Sequence, residues 1–572
     1  MSVPSRHLVL GGLGVALLVF CMYWPTRTFE FLNFDDPDYV LNNAYVQKGL
    51  TWEGFAWAFS STHGAHWHPL SWLSLMLDVE LFGVNSAASH LVNAGLHSIN
   101  MALFFWFAAA LTGLLWPSLW AALILGLHPL RIESVAWVTE RKDVLSVFFL
   151  LLSLYAYVRW VRGESEGRAI RFGLFTTSVI FFVFSLLAKP TAVVLPVLLL
   201  CLDYWPLGRM RTATFFKLTF EKIPFFVVAG AVAVAAVWAQ GSGGGLKSLS
   251  AYPLAERTAS VLVAYQAYFG KLFFPTGLGI FYPFTQYQPG VGAGALLGLL
   301  MMTWWFWEKG RTEPWLRVGW IWFLVSLLPM IGIVQIGGQA FADRWTYVPH
   351  MGLLIAWALS ARRVLEKWPR LRIFVSCSSI CIAAFLTYSH LPNWKDSQSI
   401  FRHTASVSPE NFMAHMNLGV ALDAAGNLPA ASEEFDKAVL IKPFFPDALV
   451  NLGGARARLG DLPNAEFFFR RAVAHAPAYV PAKYNLGLLL RQTARPSQGL
   501  LQWVKAYSIN PAFPQLMPSI RAFLAQFSAA NCAALTSSPQ ELEALREVKA
   551  LLEQVFDVEL RAKLYQLTSC AG

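Results

Sequence analysis

Two adjacent carboxylates, Asp35 and Asp36 in FLNFDDPDYVLNN, stand a short way after an apolar run that ends near Trp24. An aspartate can take the proton from an attacking hydroxyl, so a pair at the edge of a membrane is set for acid-base chemistry. The same residues equally make a turn in which Asp36-Pro37 stops a helix and Asp35 caps it. Further on, HPLRIESVAWVTERKDVLS places Arg131, Glu133, Glu140, Arg141, Lys142 and Asp143 between two apolar runs, and Lys189 and Arg344 stand in AKPTA and ADRWTYVP. Arg141, Lys142, Lys189 and Arg344 could together hold a phosphate through charge-assisted bonds. Taken singly, each could as well snorkel to headgroups or pair with a local acid. Three histidines, His63, His66 and His68 in THGAHWHPL, invite a metal reading. With Asp35 and Asp36, His66 and His68 would suit a divalent cation, though a polar cluster at the membrane surface is the plainer reading and no metal is firmly expected. Glu133 and Glu140 complete the candidate cavity residues.

These residues must be positioned by a membrane domain. Of 572 residues 56% are apolar, 15% aromatic and 14% charged, against a charged share of about 25% in soluble domains. Apolar runs near residues 7 to 24, 88 to 110, 114 to 128, 143 to 160, 171 to 187, 190 to 203, 223 to 240, 291 to 307, 316 to 332, 346 to 360 and 372 to 390 predict about 11 transmembrane helices. The first has no small-residue cleavage site and reads as a retained span. With the N-terminus inside, Lys and Arg divide 17 against 10 in favour of the inner loops, which puts the 25–87 loop and the C-terminal domain outside. A helix over about 255 to 274 would reverse everything after it if it crossed; it is expected to be re-entrant or interfacial. Trp52, Trp57, Trp67 and Trp72 mark headgroup-level helices that roof the cavity. The net charge of +10 is spread over loops and repeats, and with no binding motif the chain is not expected to bind nucleic acid.

After Leu391 the chain is polar and periodic. Asn-Leu-Gly recurs at 417, 451 and 485, and Pro at 409, 443, 477 and 511; a 34-residue step is the tetratricopeptide (TPR) period, one helical hairpin per repeat. Asn417, Asn451 and Asn485 therefore fall in a row, and a carboxamide that both donates and accepts suits an extended acceptor backbone. The plainer role is a bond within each repeat. A half-repeat from Trp394 to Pro409 should lead into three repeats, and Ser538-Pro539-Gln540-Glu541 reads as a capping box opening a final helix. The expected division is 1–390 for the membrane domain, 391–515 for the repeats and 516–572 for terminal capping helices, giving an all-α protein. Cys532 and Cys570 are the soluble domain's two cysteines, and on an oxidising side they can form a bridge.

FDDPDYVLNN, WHPLSWLSLMLDVELFG, HPLRIESVAWVTERKDVLS, AKPTAVVLPVLLLCLDYWPLG and DRWTYVPHMGLLIA, followed by TPR repeats, resemble the transmembrane-and-tetratricopeptide-repeat protein O-mannosyltransferases and their bacterial relatives. The resemblance implies a GT-C glycosyltransferase fold, a polyprenyl-phosphate-linked sugar as donor and a Ser or Thr of an exported or envelope protein as acceptor. It also implies a bacterial cytoplasmic membrane with the site and repeats on its periplasmic side. One aspartate, expected to be Asp35, would deprotonate the acceptor while cations meet the leaving phosphate; Asp36 would orient the acceptor or share that role. Eukaryotic members carry more repeats than the three clear ones here, so acceptor range does not transfer. Two other readings compete: a membrane-anchored TPR scaffold in which the aspartates only cap a helix, and a lipid-linked sugar carrier that would work without Asp35.

Overall fold

The computed structural model describes residues 5–163, 167–242, 244–245, 247–248, 252–527, 532–554 and 557–571. The chain divides into two units, Met1–Pro409 and Glu410–Gly572.

In the first unit, among the described residues, seven helices are long and apolar enough to cross a membrane, or eight if a bent pair is one span. Ser86–Thr112 and Val138–Arg162 form its centre, with 72% and 61% of their apolar windows buried. Ser5–Thr28, Pro289–Lys309 and Pro369–Trp394 bury 22% or less and leave large residues such as Leu13, Leu17, Leu300, Trp304, Phe374 and Phe385 outward. An apolar surface of that kind is stable only against lipid, so this is a membrane protein. Small polar residues set one close packing: Ser146 and Ser185 exchange bonds with each other's backbone carbonyls, and Ser153 and Ser178 do the same one heptad further along. These reciprocal pairs let Arg141–Arg162 and Arg168–Ala188 approach closely, as small residues do between membrane helices.

All eleven expected segments are helical, but four are not full-length apolar spans. Leu115–Gly126 is bent by 60° from Pro129–Ala136, because His128-Pro129 interrupts the helical hydrogen bonding. Pro190–Tyr204 and Pro314–Leu327 are short, and Tyr347–Val364 closes on Arg362 and Arg363.

The helix expected over about 255 to 274 is Leu254–Lys271. Tyr252 just before it and Phe284 beyond it meet with ring centroids 4.5 Å apart, and Tyr282 pairs with Phe341 in a two-stranded ribbon. The chain thus returns to where it left, and the helix is not among those long and apolar enough to cross. Two of its polar side chains are met by protein, Tyr265 donating to Leu324 O at 2.9 Å and Gln266 to Ala295 O at 2.8 Å, as buried polar groups require.

The second unit opens with three helical hairpins: Phe412–Ala424 with Leu428–Ile441, Pro446–Arg458 with Leu462–His475, and Val480–Gln492 with Pro496–Ile509. The glycine of each Asn-Leu-Gly has a packing reason. A Cβ on Gly419, Gly453 or Gly487 would come within 2.7 Å of the ring of Phe435, Phe469 or Trp503, so only glycine lets the paired helices close. Each hairpin turns through a left-handed residue 34 positions from the last: Gly426, Gly460 and then Ala494, whose side chain makes the third turn strained. Terminal helices bury Leu545, Leu564 and Phe523 against Trp503, and Cys532 is joined to Cys570, Cα to Cα 5.2 Å. The capping box is only half formed. Ser538 Oγ accepts from Glu541 N at 3.2 Å, but the buried Glu541 carboxylate accepts instead from Ser497 N at 2.6 Å and Gln498 N at 3.3 Å, because the buried N-terminus of Pro496–Ile509 has no side-chain cap from its own Arg495 and offers N–H groups that need partners. The expected half-repeat forms the helix Ser397–Val407 and lies in the first unit.

Candidate active site

After the first helix the chain makes a 3-10 turn, Trp24–Thr28, and reaches the aspartates through backbone pinned from outside: Glu30 N donates to Lys395 O and Asn33 N to Ser397 Oγ, both 2.8 Å. Phe34 is set among Trp137, Phe281 and Phe401, with centroids 5.5 to 6.3 Å away. A single π-type turn, Pro37–Leu41, follows.

The two aspartates turn to different work. Asp36 is fully buried; its Oδ2 accepts from Leu32 N at 2.8 Å, and its Oδ1 from Thr139 N at 3.0 Å and Thr139 Oγ1 at 2.5 Å. It ties the loop to the segment before Arg141. Burial pushes its carboxyl up to about 6, with the Thr139 and Leu32 bonds opposing. Asp35, by contrast, has no side-chain hydrogen bond or ion pair among the described residues. Burial holds its carboxyl above the usual range, Lys142 and Arg344 draw it down, and Glu140 and Asp38 push it up. An unengaged carboxylate of raised basicity beside cations is what a general base requires.

The cations gather on Glu140, which meets Lys142 at 3.3 Å, Lys189 at 3.1 Å and Arg344 Nε at 3.1 Å. Lys189 also pairs with Asp143, and Arg344 with Glu133. Each cation is aimed by its local backbone. Lys189 is extended (φ −157°, ψ 128°) because Pro190 disfavours the helical conformation before it. Arg344 is the second residue of a 3-10 turn, Asp343–Thr346, its guanidinium 5.3 Å from the Trp137 ring. Lys142 lies in the first turn of Arg141–Arg162, its Nζ 4.9 Å from the Tyr39 ring.

Arg141 does not belong with them. Its guanidinium is bidentate to Asp78, at 3.1 and 2.7 Å, and donates to Ser74 Oγ at 2.8 Å, to Ser89 O at 3.0 Å and to Asn93. All five N–H groups are spent, so Arg141 is a structural clamp and is withdrawn from the phosphate candidates.

His68 packs against Tyr39 and Trp72, centroids at 5.6 and 4.8 Å, two rings that also touch each other at 4.6 Å, and His66 receives a bond at Nδ1 from Gln240 at 3.0 Å. Among the described residues no three His, Cys, Asp or Glu side chains could hold a metal ion. Asp36, committed to Thr139, cannot join Asp35, His66 and His68 in the cation site that the sequence suggested.

In the second unit Asn417, Asn451 and Asn485 occupy equivalent positions on Phe412–Ala424, Pro446–Arg458 and Val480–Gln492. Asn417 Nδ2 donates to Met413 O at 3.0 Å and Asn485 Nδ2 to Pro481 O at 2.8 Å. Two of the three amide groups are therefore engaged within their own helices.

Sequence reasoning missed Thr139, Asp78 and Tyr39. All three lie inside motifs already singled out, and Tyr39 of FDDPDYVLNN is the residue of that motif whose ring Lys142 overlies.

Fold and site define a class: a polytopic membrane protein with a buried carboxylate-and-cation site, continued by a TPR solenoid. Its homologues are protein O-mannosyl-transferases of the TMTC group. It is 31% identical over 185 residues to "Protein O-mannosyl-transferase Tmtc2" of Drosophila melanogaster, a stretch covering 31% of this chain and 20% of that one. To human "Protein O-mannosyl-transferase TMTC4" it is 24% identical over 459 residues, 70% of this chain and 62% of that one. The chain thus spans about a fifth of the first relative and under two thirds of the second. No family model matches. Among solved structures, ArnT from Cupriavidus metallidurans bound to undecaprenyl phosphate aligns with 82% of this chain and 80% of its own at 15% identity and TM-score 0.33. The TPR protein YrrB aligns with 36% of this chain and 98% of its own, at 13% identity and TM-score 0.22.

Proposed function

We propose that the protein transfers a hexose, with inversion, from a polyprenyl-phosphate carrier to a Ser or Thr hydroxyl of a protein acceptor. The observation that carries this reading is the division of labour between neighbouring aspartates: Asp36 is committed to Leu32 and Thr139, while Asp35 is unengaged beside Lys142 and Arg344. In the reaction Asp35 takes the hydroxyl proton as the acceptor oxygen attacks the anomeric carbon. The carbon–phosphate oxygen bond breaks, and the pair of electrons leaves on a phosphate that needs cations and no general acid. Lys142, Lys189 and Arg344 supply them from a preformed cluster, which requires little reorganisation as charge develops. The names of the relatives support mannose and a protein acceptor. The repeats would hold that acceptor along the Asn417, Asn451 and Asn485 row, and the Cys532–Cys570 bridge fits an oxidising, non-cytoplasmic side, periplasmic in a bacterium.

The test is transfer by purified full-length protein from polyprenyl-phosphate mannose to an exported-protein acceptor, read by intact mass. Asp35→Asn should lower turnover about 10²- to 10⁴-fold, as loss of a positioned base does, and leave folding unchanged. Wild-type turnover in Asp35→Asn would sink the mechanism, whereas a wild-type protein that transfers no hexose would favour the carrier or scaffold reading.

A further inference from the structure

The two histidines of HWH have no place in the mechanism so far, yet they are built into the site. His68 is 2% exposed, and its Nε2 has no hydrogen-bond partner. A buried ring nitrogen without a partner is costly unless something polar meets it. Its ring is fixed by Tyr39 and Trp72, and Tyr39 carries Lys142 over its face at 4.9 Å. His66 stands 5.6 Å from His68, ring to ring. With Gln240 Nε2 donating to its Nδ1, His66 holds its own proton on Nε2 and can donate from there. Burial, first of all, and then Lys142 and Lys189 hold His66 down to about 3, and burial, then His66 and the same cations hold His68 well below its usual value. The charges those histidines feel, Lys142 and Glu140, are the ones that Asp35 feels, yet neither ring bonds to them.

We propose that His66 and His68 form the sugar subsite of the donor, meeting hydroxyls of the hexose ring while Lys142, Lys189 and Arg344 hold the phosphate. This rests on the glycosyl-transfer reading. Two neutral imidazoles offer both a donor and an acceptor at fixed positions, which matches adjacent ring hydroxyls. The aromatic pair behind His68 keeps its ring from turning away. Phosphate would be served better by charged groups, and an aliphatic tail by neither. The histidines are thus specificity-determining and do not touch the leaving oxygen.

The experiment uses purified full-length protein, polyprenyl-phosphate mannose, its monodeoxy analogues, and sugar-free polyprenyl phosphate as competitor. His68→Phe keeps a ring against Tyr39 and Trp72 and removes both nitrogens; His66→Phe is the less buried companion. In the wild type one monodeoxy donor should lose about 10-fold in kcat/KM, the order of one hydrogen bond. In one of the two variants the parent donor should fall by a similar factor, that deoxy donor should suffer no further loss, and inhibition by sugar-free polyprenyl phosphate should be unchanged. Losses that multiply, or a weakened sugar-free competitor, overturn the subsite. So does activity lost to a chelator and regained with manganese in the wild type but not in the variants, which would make the histidines metal ligands. If a variant melts early, the companion decides. A wild-type protein that transfers no hexose from any polyprenyl-phosphate donor removes the glycosyl-transfer reading itself, and is seen before any histidine is changed.

Discussion

Asp36→Asn should destabilise the protein where Asp35→Asn does not. Three donors converge on the Asp36 carboxylate: Leu32 N on one oxygen, Thr139 N and Thr139 Oγ1 on the other. An amide has one oxygen. In its better orientation it keeps both Thr139 donors and turns its NH2 against Leu32 N–H, leaving that N–H unsatisfied in a fully buried place, a cost of about 1–3 kcal/mol. The reverse orientation strands Thr139 N–H and is worse. Thr139→Val removes only the hydroxyl bond and should cost about 1 kcal/mol. Asp35→Asn breaks no bond, so the ranking is Asp36→Asn, then Thr139→Val, then Asp35→Asn near wild type. The assay is thermal unfolding of the purified protein in detergent, followed by tryptophan fluorescence. A pH series adds a sign. Because the folded value of Asp36 is raised to about 6, its contribution is fully present below the unfolded value and lost as pH rises through 6, so the gap between wild type and Asp36→Asn should widen on acidification from pH 7. A melt in which Asp35→Asn is the less stable of the neighbours would refute the division of labour.

Three further outcomes are expected. Turnover should fall as pH drops through the Asp35 value, with the limb above the ordinary 3.8, since only the ionised carboxylate accepts the proton; an initial-rate profile with no limb above 3.8 counts against Asp35 as base. Lys142→Met should raise the donor KM about 10- to 100-fold, the worth of a charge-assisted bond, with a near-normal melt because Glu140 retains Lys189 and Arg344; Arg141→Ala should instead lose about 3–5 kcal/mol of stability by stranding buried Asp78, measured in the same melts. Replacing Asn417, Asn451 and Asn485 together by Ala should raise the KM for protein acceptors and spare transfer to a short peptide, whereas loss on both with loss of helical circular dichroism would make the row structural.

Hydropathy and the 34-residue step were enough to place every apolar helix and each repeat, because lipid burial and hairpin stacking are written in local composition. What they could not convey was partnership. Arg141 and Lys142 are neighbours with the same charge, and only the fold brings Asp78 and Asn93, dozens of residues away, to one of them. The same holds for Asp35 and Asp36: a step of one residue into a π-type turn sends one side chain to Thr139 and leaves the other to the cations. The Asn-Leu-Gly glycines were seen as a repeat marker, while their reason, a ring across the hairpin, belongs to packing. Asn417 and Asn485 show a limit of another kind, since a bond to the carbonyl four residues back is available to any such side chain on a helix.

The hairpin closed by Tyr252 and Phe284 bears on how the chain is made. Leu254–Lys271 carries Glu256, Arg257 and Lys271, charges that weigh against lateral release into lipid as a nascent segment leaves the ribosome. A stretch that cannot be integrated by its own hydrophobicity must wait for a berth, and its partners Leu324 and Asp343 are translated more than fifty residues later. Docking of this helix on Leu324 and Asp343 is therefore expected to follow insertion of the flanking spans, and reporters fused at residue 252 and at residue 284 should read the same compartment even in chains cut short before those partners exist.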